Sequence, residues 1–310
     1  MLTVLAGGVG AARLLSALVA VTEPASITAI VNTADDITLH GLHVSPDLDT
    51  VTYTLASAVN VDTGWGRSGE TWRVMEELAR YGGATWFRLG DQDLATHLYR
   101  TQRLAEGASL STVTAEIAKS WDLTLRILPM SDDRVETRVV IAGANEVGFQ
   151  EYFVAHRHSV PVSHVRFDGI EAARPSPGVL DAIADASRVI IAPSNPIVSI
   201  GPIVSLPGVA PVLGRRRDDC VAVSPIIAGA ALKGPADRML SELGHEASVV
   251  GIARIYAPYA STLVVDEADA EHAGAVEREG VHCMVIPTVM RGPGEAATLA
   301  RALLPPNLRQ

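Results

Sequence analysis

The sequence predicts an α/β fold, Rossmann-like, with a mostly parallel sheet, helices on both faces and a mixed α+β insertion. Three observations carry this prediction. The chain opens as an apolar strand, a glycine turn and a helix, the start of a nucleotide-binding βα unit. A strand-then-helix alternation resumes near residue 178 and runs towards the C-terminus. Between about 60 and 170 that alternation is lost, so the 310 residues are read as one Rossmann-like domain, 1–310, carrying an insertion there.

In chain order, residues 2–5 are the first strand and residues 11–21 have helical apolar spacing. Between them Gly7, Gly8 and Gly10 let the backbone come close to a ligand, and the helix that follows directs its N-terminal N–H groups at an anion. Gly8-Val9-Gly10 begins a GxGxxG pattern and Asp35 lies near the place of its ribose acid, but Arg13 replaces the third glycine. A nucleotide phosphate is therefore a safer expectation than NAD.

The next stretch, NTADDITLHGLHVSPDLDTVTY over 32–53, has a composition that no packed core requires. Asp35 and Asp36 follow the apolar run 27–31, where open α/β sheets bind ligands. Asp47 and Asp49 follow Ser45-Pro46 at i, i+2; on an extended segment they share a side, and on a turning one they can still converge. The pattern predicts a hard-cation and phosphate site with Asp35, Asp36, Asp47 and Asp49 as metal ligands. The plainer alternative is that Asp47 or Asp49 caps a helix over 50–58.

A polar, glycine-rich segment, 62–71, precedes a helical pattern over 72–81. Trp65 is a candidate to stack on a flat ring, whereas Trp72 and Trp86 read as packing residues. Asp91 or Asp93 is placed to cap a helix carrying His97. Residues 104–121 read as helical with a break at Gly107, and strands at 125–129 and 136–142, joined by a turn, suggest an antiparallel excursion. FQEYF at 149–153 leads into His156-Arg157-His158, a solvated basic run or, for Arg157, a contact for an acidic substrate tail.

Residues 179–187 read as a helix and 188–192 as a buried strand, ended by Pro193-Ser194-Asn195-Pro196, where Ser194 and Asn195 are candidates for phosphate or base. Residues 199–202 open the next helix and 220–224 form a strand. Lys233, one of only two lysines, stands before a helix that starts at Pro235, a position suited to phosphate. Residues 249–255, 262–266 and 282–286 read as the remaining strands, and 294–304 as a closing helix.

Composition bounds the ligands. A net charge of −10 argues against a general nucleic-acid or anionic membrane surface and favours small molecules. No signal peptide or transmembrane run is legible, and Cys220 and Cys283, both in apolar runs, suit packing in a cytoplasmic protein.

The motifs LAGGVGAARLL, NTADD, HGLHVSPDLDTVTYTLA, LGDQDLATH, LPMSDD, FQEYF, PSNPIVSIGPI, AVSPII and ALKGPADRML together resemble the 2-phospho-L-lactate transferase family of coenzyme F420 biosynthesis, almost end to end. The resemblance implies an enzyme joining the deazaflavin Fo to the phospho-acid half of a guanosine diphosphate conjugate, with GMP released, Mg²⁺ required and a homodimer as the assembly. The acid is lactate in the archaeal form and enolpyruvate in the actinobacterial form; the arginine-rich, lysine-poor composition inclines towards enolpyruvate. In that chemistry the four aspartates hold Mg²⁺ and orient the attacking hydroxyl, with Asp36 and Asp49 as the catalytic pair. Gly7, Gly8, Gly10, Asn32, Ser194, Asn195 and Lys233 hold the nucleotide. By position, Asp49, the second acid of SPDLDT, matches the family's Fo-contacting aspartate. The family's GDRD reads Gly90-Asp91-Gln92-Asp93 here, so Gln92 offers Fo a hydrogen bond but no charge. The competing expectations are a UDP-sugar-binding regulator of the same fold and, behind it, an NAD-dependent oxidoreductase.

Overall fold

The computed structural model describes residues 1–141 and 145–305. Seven strands form one sheet in the order His282–Val285, Thr262–Val265, Cys220–Val223, Arg188–Ile191, Leu2–Ala6, Ile27–Val31, Arg126–Pro129. Every neighbouring pair is parallel. Numbered along the chain this order is 3-2-1-4-5-6-7, the doubly wound arrangement with one strand added. The order reverses between Leu2–Ala6 and Arg188–Ile191, so a crevice opens beyond their carboxyl ends.

Both faces of the sheet are covered, which is why its strands are mostly apolar, with Thr3 and Thr28 buried among them, instead of alternating with polar residues. Val4 and Ile190 pack with the helices Gly8–Val21, Pro46–Leu55, Leu110–Ser120 and Pro293–Leu303. Leu5, Val189 and Ile191 face the opposite core, built from Val179–Ala184, Gly201–Ser205, Val209–Arg215, Ala236–Glu242, Val249–Tyr256 and Ala273–Arg278. A three-stranded antiparallel sheet of Asn145–Gly148, Glu136–Ile141 and Val162–Asp168 fits the insertion, and the hairpin Ile37–Leu39 with Leu42–Val44 precedes it. Of the strand expected over 136–142, Ala142 lies outside the described residues. No single helix among the described residues is long and apolar enough to cross a membrane.

Three expectations are corrected. Residues 249–255 are not a strand: Val249–Tyr256 is a helix whose N-cap, Ser248, accepts hydrogen bonds from Val250 N and Gly251 N, both at 3.2 Å. Its apolar residues are buried almost all round, so the helical period is hidden. The strand near 125–129 does not pair with the one after it; Arg126–Pro129 joins the parallel sheet beside Ile27–Val31, and the turn after it leads into a separate unit. Neither Asp91 nor Asp93 caps the Asp93–Ala105 helix. The Glu70 carboxylate takes Gln92 N and Asp93 N, both at 2.7 Å, while Asp91 takes Arg73 N and Val74 N of the Arg73–Arg80 helix at 3.2 and 3.1 Å. The two helix starts thus exchange caps. Gly90 is needed for this, since a Cβ there would fall 2.1 Å from Glu70 Cδ.

Candidate active site

The switch-point crevice continues into a cavity of about 720 Å³. Its floor is the glycine turn, which holds tightly to the neighbouring loop. Ser194 Oγ donates to Gly7 O at 2.8 Å and lies 3.3 Å from Gly7 N. A Cβ on Gly10 would come within 2.5 Å of Pro193 O, and one on Gly7 within 2.6 Å of Ser199 Cβ. Glycine at these positions therefore lets the two loops on either side of the switch point touch.

The segment after Ser45 is helical from Pro46 to Leu55, and this decides where its acids go. Residues i and i+2 on a helix point to different sides. Asp47 reaches the glycine turn, accepting from Gly8 N at 2.8 Å, and Asn32 Nδ2 donates to both Asp47 Oδ2 and Asp35 Oδ2 at 3.1 Å. Asp49 turns the other way and is gripped by both terminal nitrogens of Arg100, which is 2% exposed. Asp36 is tied through Oδ2 to Ser45 Oγ at 2.6 Å and His43 Nε2 at 2.9 Å. The four aspartates are therefore split: Asp35 with Asp47, Asp36 with the hairpin, Asp49 with Arg100. Neither Asp47 nor Asp49 is the N-cap residue, which is Ser45.

Electrostatics single out the first pair. Burial, and then the charge on Asp47, hold Asp35 well above the usual carboxylate range. Burial raises Asp47 to about 6, against the pull of Asn32 and Gly8 N–H. Burial also raises Asp36, opposed by His43. Asp35 Oδ1 and Asp36 Oδ1 are buried and accept no hydrogen bond from the described residues. Anionic oxygens that are desolvated, mutually repelling and partly unsatisfied are the donor set a hard divalent cation takes.

A second constellation surrounds Asp49. One oxygen each from Asp49 and Asp93 and one nitrogen of His97 lie within 4.8 Å of one another, a group able to hold a metal ion. Tyr53 Oη donates to Asp93 Oδ1 at 2.6 Å and accepts from Thr96 Oγ1 at 2.7 Å. Burial would raise Asp93, but His97, Tyr53 and Arg100 outweigh it and hold that carboxyl below its ordinary value. Burial opposes the Arg100 charge, but Asp49 outweighs it and raises the guanidinium further.

Gly7, Gly8, Gly10, Asp35, Asp47, Asp49, Trp65, Ser194, Asn195 and Lys233 all line the cavity. Lys233 Nζ lies 3.3 Å from Thr63 O, so the Lys233 and Thr63–Trp65 loops meet as opposing lips, with Trp65 half exposed between them. Asn195 spends its Oδ1 on Ile197 N and Val198 N, at 2.9 and 3.3 Å, capping the turn that follows. Asn32 stands behind the acids and Asp36 beside them, neither on the wall. Gln92 is also off the wall: its side chain is exposed and donates to Gly69 O at 2.8 Å, because its own N–H is locked to Glu70. Arg157 lies outside the cavity as well. Sequence reasoning missed Arg100, Tyr53 and the partnership of Asp93 with His97. Asp93, His97 and Arg100 at i, i+4 and i+7 form one stripe of a helix, a legible signal for a convergent polar face.

Residues 2–288 match the family model described as 2-phospho-L-lactate transferase CofD. Similar curated proteins include the phosphoenolpyruvate transferases of Kitasatospora aureofaciens, 45% identical over 97% of this chain and 95% of that protein, and Streptomyces coelicolor, 44% identical over 98% and 97%. The phosphoenolpyruvate transferase of Mycolicibacterium smegmatis is 40% identical over 97% of each chain. Among solved structures, protein BH3568 of Bacillus halodurans superposes with a TM-score of 0.64 over 98% of this chain and 99% of that one; at 16% identity it shows the fold alone.

Proposed function

The chain belongs to the 2-phospho-L-lactate transferase CofD family and is a transferase of coenzyme F420 biosynthesis, and from that premise we propose that it moves an enolpyruvyl phosphate group from a guanosine diphosphate conjugate onto the deazaflavin Fo. Relatives named phosphoenolpyruvate transferase at 40–45% identity favour enolpyruvate over lactate as the acid. A primary hydroxyl on the Fo side chain attacks the phosphorus that bears the acid, the bridging P–O bond breaks, GMP leaves, and the hydroxyl proton passes to a carboxylate or to solvent. Such transfers depend on positioning and on charge neutralisation.

The single observation that carries this reading is the Asp35–Asp47 pair set against the glycine turn, where acids and backbone N–H groups face one crevice. Asp35 and Asp47 would hold Mg²⁺, with Asp36 Oδ1 and Asp49 as the remaining acidic neighbours. When bound there, Mg²⁺ supplies positive charge to the diphosphate and to the departing oxygen. The Asp49–Asp93–His97 group suits it less, because Arg100 already neutralises Asp49 and Mg²⁺ prefers an all-oxygen set. Asn32 keeps the Asp35 and Asp47 carboxylates oriented. Gly7, Gly8, Gly10, Ser194, Asn195 and Lys233 cradle the diphosphate. Arg100 fixes Asp49 so that its remaining lone pairs, with those of Asp93, orient the Fo hydroxyls, and Trp65 covers the ring. A homodimer is the expected assembly.

The test is Asp47→Asn, which preserves shape and removes the charge. GMP release from the conjugate in the presence of Fo should fall at least about 100-fold and lose its dependence on Mg²⁺. Full Mg²⁺-dependent turnover by this variant would end the assignment.

A further inference from the structure

We propose that Gln150, set in an aromatic wall made by Phe149 and Phe153, recognises the edge of a planar heteroaromatic ring that carries an N–H next to a carbonyl. All three residues line the cavity. The Phe149 and Phe153 rings are stacked at 5.6 Å with 22° between planes, and His158 continues the stack beyond Phe153 at 5.2 Å and 23°. Gln150 is 7% exposed, yet its side-chain amide makes no hydrogen bond to the described protein. The exposed glutamines differ: Gln92 donates to Gly69 O and Gln102 to Glu106.

The amide faces the cavity, so a ligand that covers it is favoured when it pairs with both the donor and the acceptor and disfavoured when it leaves them unsatisfied. A primary amide offers an acceptor and a donor side by side, and their complement is a lactam edge, a ring N–H beside C=O. Both faces of Phe153 are covered, by Phe149 and by His158, so the stack presents its edge beside the amide and offers a flat ring apolar, edge-to-face contact. The wall is held from behind. Glu151–Ala155 forms a π-helical turn, a distortion often found at functional sites. Tyr152 points away from the cavity into the core, where its hydroxyl accepts from Arg238 at 2.6 Å, and Arg238 in turn pairs with Glu242. A Cβ at Gly234 would stand 4.0 Å from Phe153 Cε2, so Lys233 is adjacent to the wall and offers its charge to a phosphate borne by the ring's sugar.

The inference rests on the functional reading above in one respect, that such rings enter this cavity. Guanine and a deazaflavin both present a lactam edge, so the test separates them. Wild type, Gln150→Met and Gln150→Asn are titrated with GDP by calorimetry and with Fo by fluorescence, after melting curves establish that the variants fold. Methionine keeps the length and apolar bulk but cannot pair, and asparagine pairs but falls short. The expected result is a loss of about ten- to a hundredfold in affinity for one ligand in both variants, with the other unchanged. A loss for GDP identifies the occupant as the nucleobase, and a loss for Fo identifies it as the deazaflavin; either supports the site. Affinities for both ligands within about twofold of wild type, in a folded variant, would overturn it. Wild type that binds neither ligand would overturn the functional reading as well, which distinguishes the two failures.

Discussion

At the scale of single residues, the site turns on Asn32, whose one amide nitrogen holds Asp35 and Asp47 side by side. The burial of Asp47 has a thermodynamic signature. The folded-state pKa of Asp47, about 6, lies above its unfolded value of about 4, so between those pH values the native protein binds more protons than the unfolded chain. Its contribution is therefore present below the unfolded pKa, and the metal-free protein loses that stability as pH rises through this window. A cation at the pair competes with these protons. Differential scanning fluorimetry should then show a larger Mg²⁺-induced rise in Tm near about pH 7.5 than near about pH 5, and equal shifts would remove Asp47 from the ligand set. Gln92 gives the opposite kind of expectation. With its side chain on Gly69 O and off the cavity wall, Gln92→Ala should leave Fo affinity within about twofold, measured by fluorescence titration. The cluster of acids was legible in the sequence, but their sorting was not: it depended on the helix starting at Pro46, which sends Asp47 and Asp49 to different sides, and on an arginine 51 residues away.

At the scale of elements, the strands were easier to read than the helices that cover them on one face. A strand buried on both sides is simply an apolar run, and the runs near 2–5, 27–31, 188–192, 262–266 and 282–286 all became strands of the parallel sheet. The same rule misleads at Val249–Tyr256, where a helix enclosed by the core also presents an unbroken apolar run rich in Val and Ile. Ser248 was the available signal, an N-cap residue just before the run. Ser248→Ala should cost about 1 kcal/mol, read from urea unfolding, while turnover stays near wild type because the cap lies outside the cavity. The exchanged caps of Glu70 and Asp91 were not legible, since they depend on two helix starts meeting across about twenty residues of chain.

At the scale of the molecule, the strand order concentrates chemistry at one place. Reversal between Leu2–Ala6 and Arg188–Ile191 brings the glycine turn, Ser194 and Asn195 together, and Ile27–Val31 delivers Asn32 and the acids beside them. That convergence was foreseen from the polar residues following each apolar run, because open α/β sheets bind ligands at their carboxyl edge. Trp65 was legible as a candidate for a flat ring, but the contact of its loop with Lys233 and the aromatic wall from 149–153 were not, because their approach to the crevice is set by long-range packing. The central claim is that this crevice joins a guanosine diphosphate conjugate to Fo. It is tested most directly by mass spectrometry of the products formed from the guanosine-diphosphate enolpyruvyl conjugate, Fo and Mg²⁺. The account predicts Fo carrying an enolpyruvyl phosphodiester together with an equal amount of GMP; unchanged Fo, or GMP appearing with no modified Fo, would contradict it.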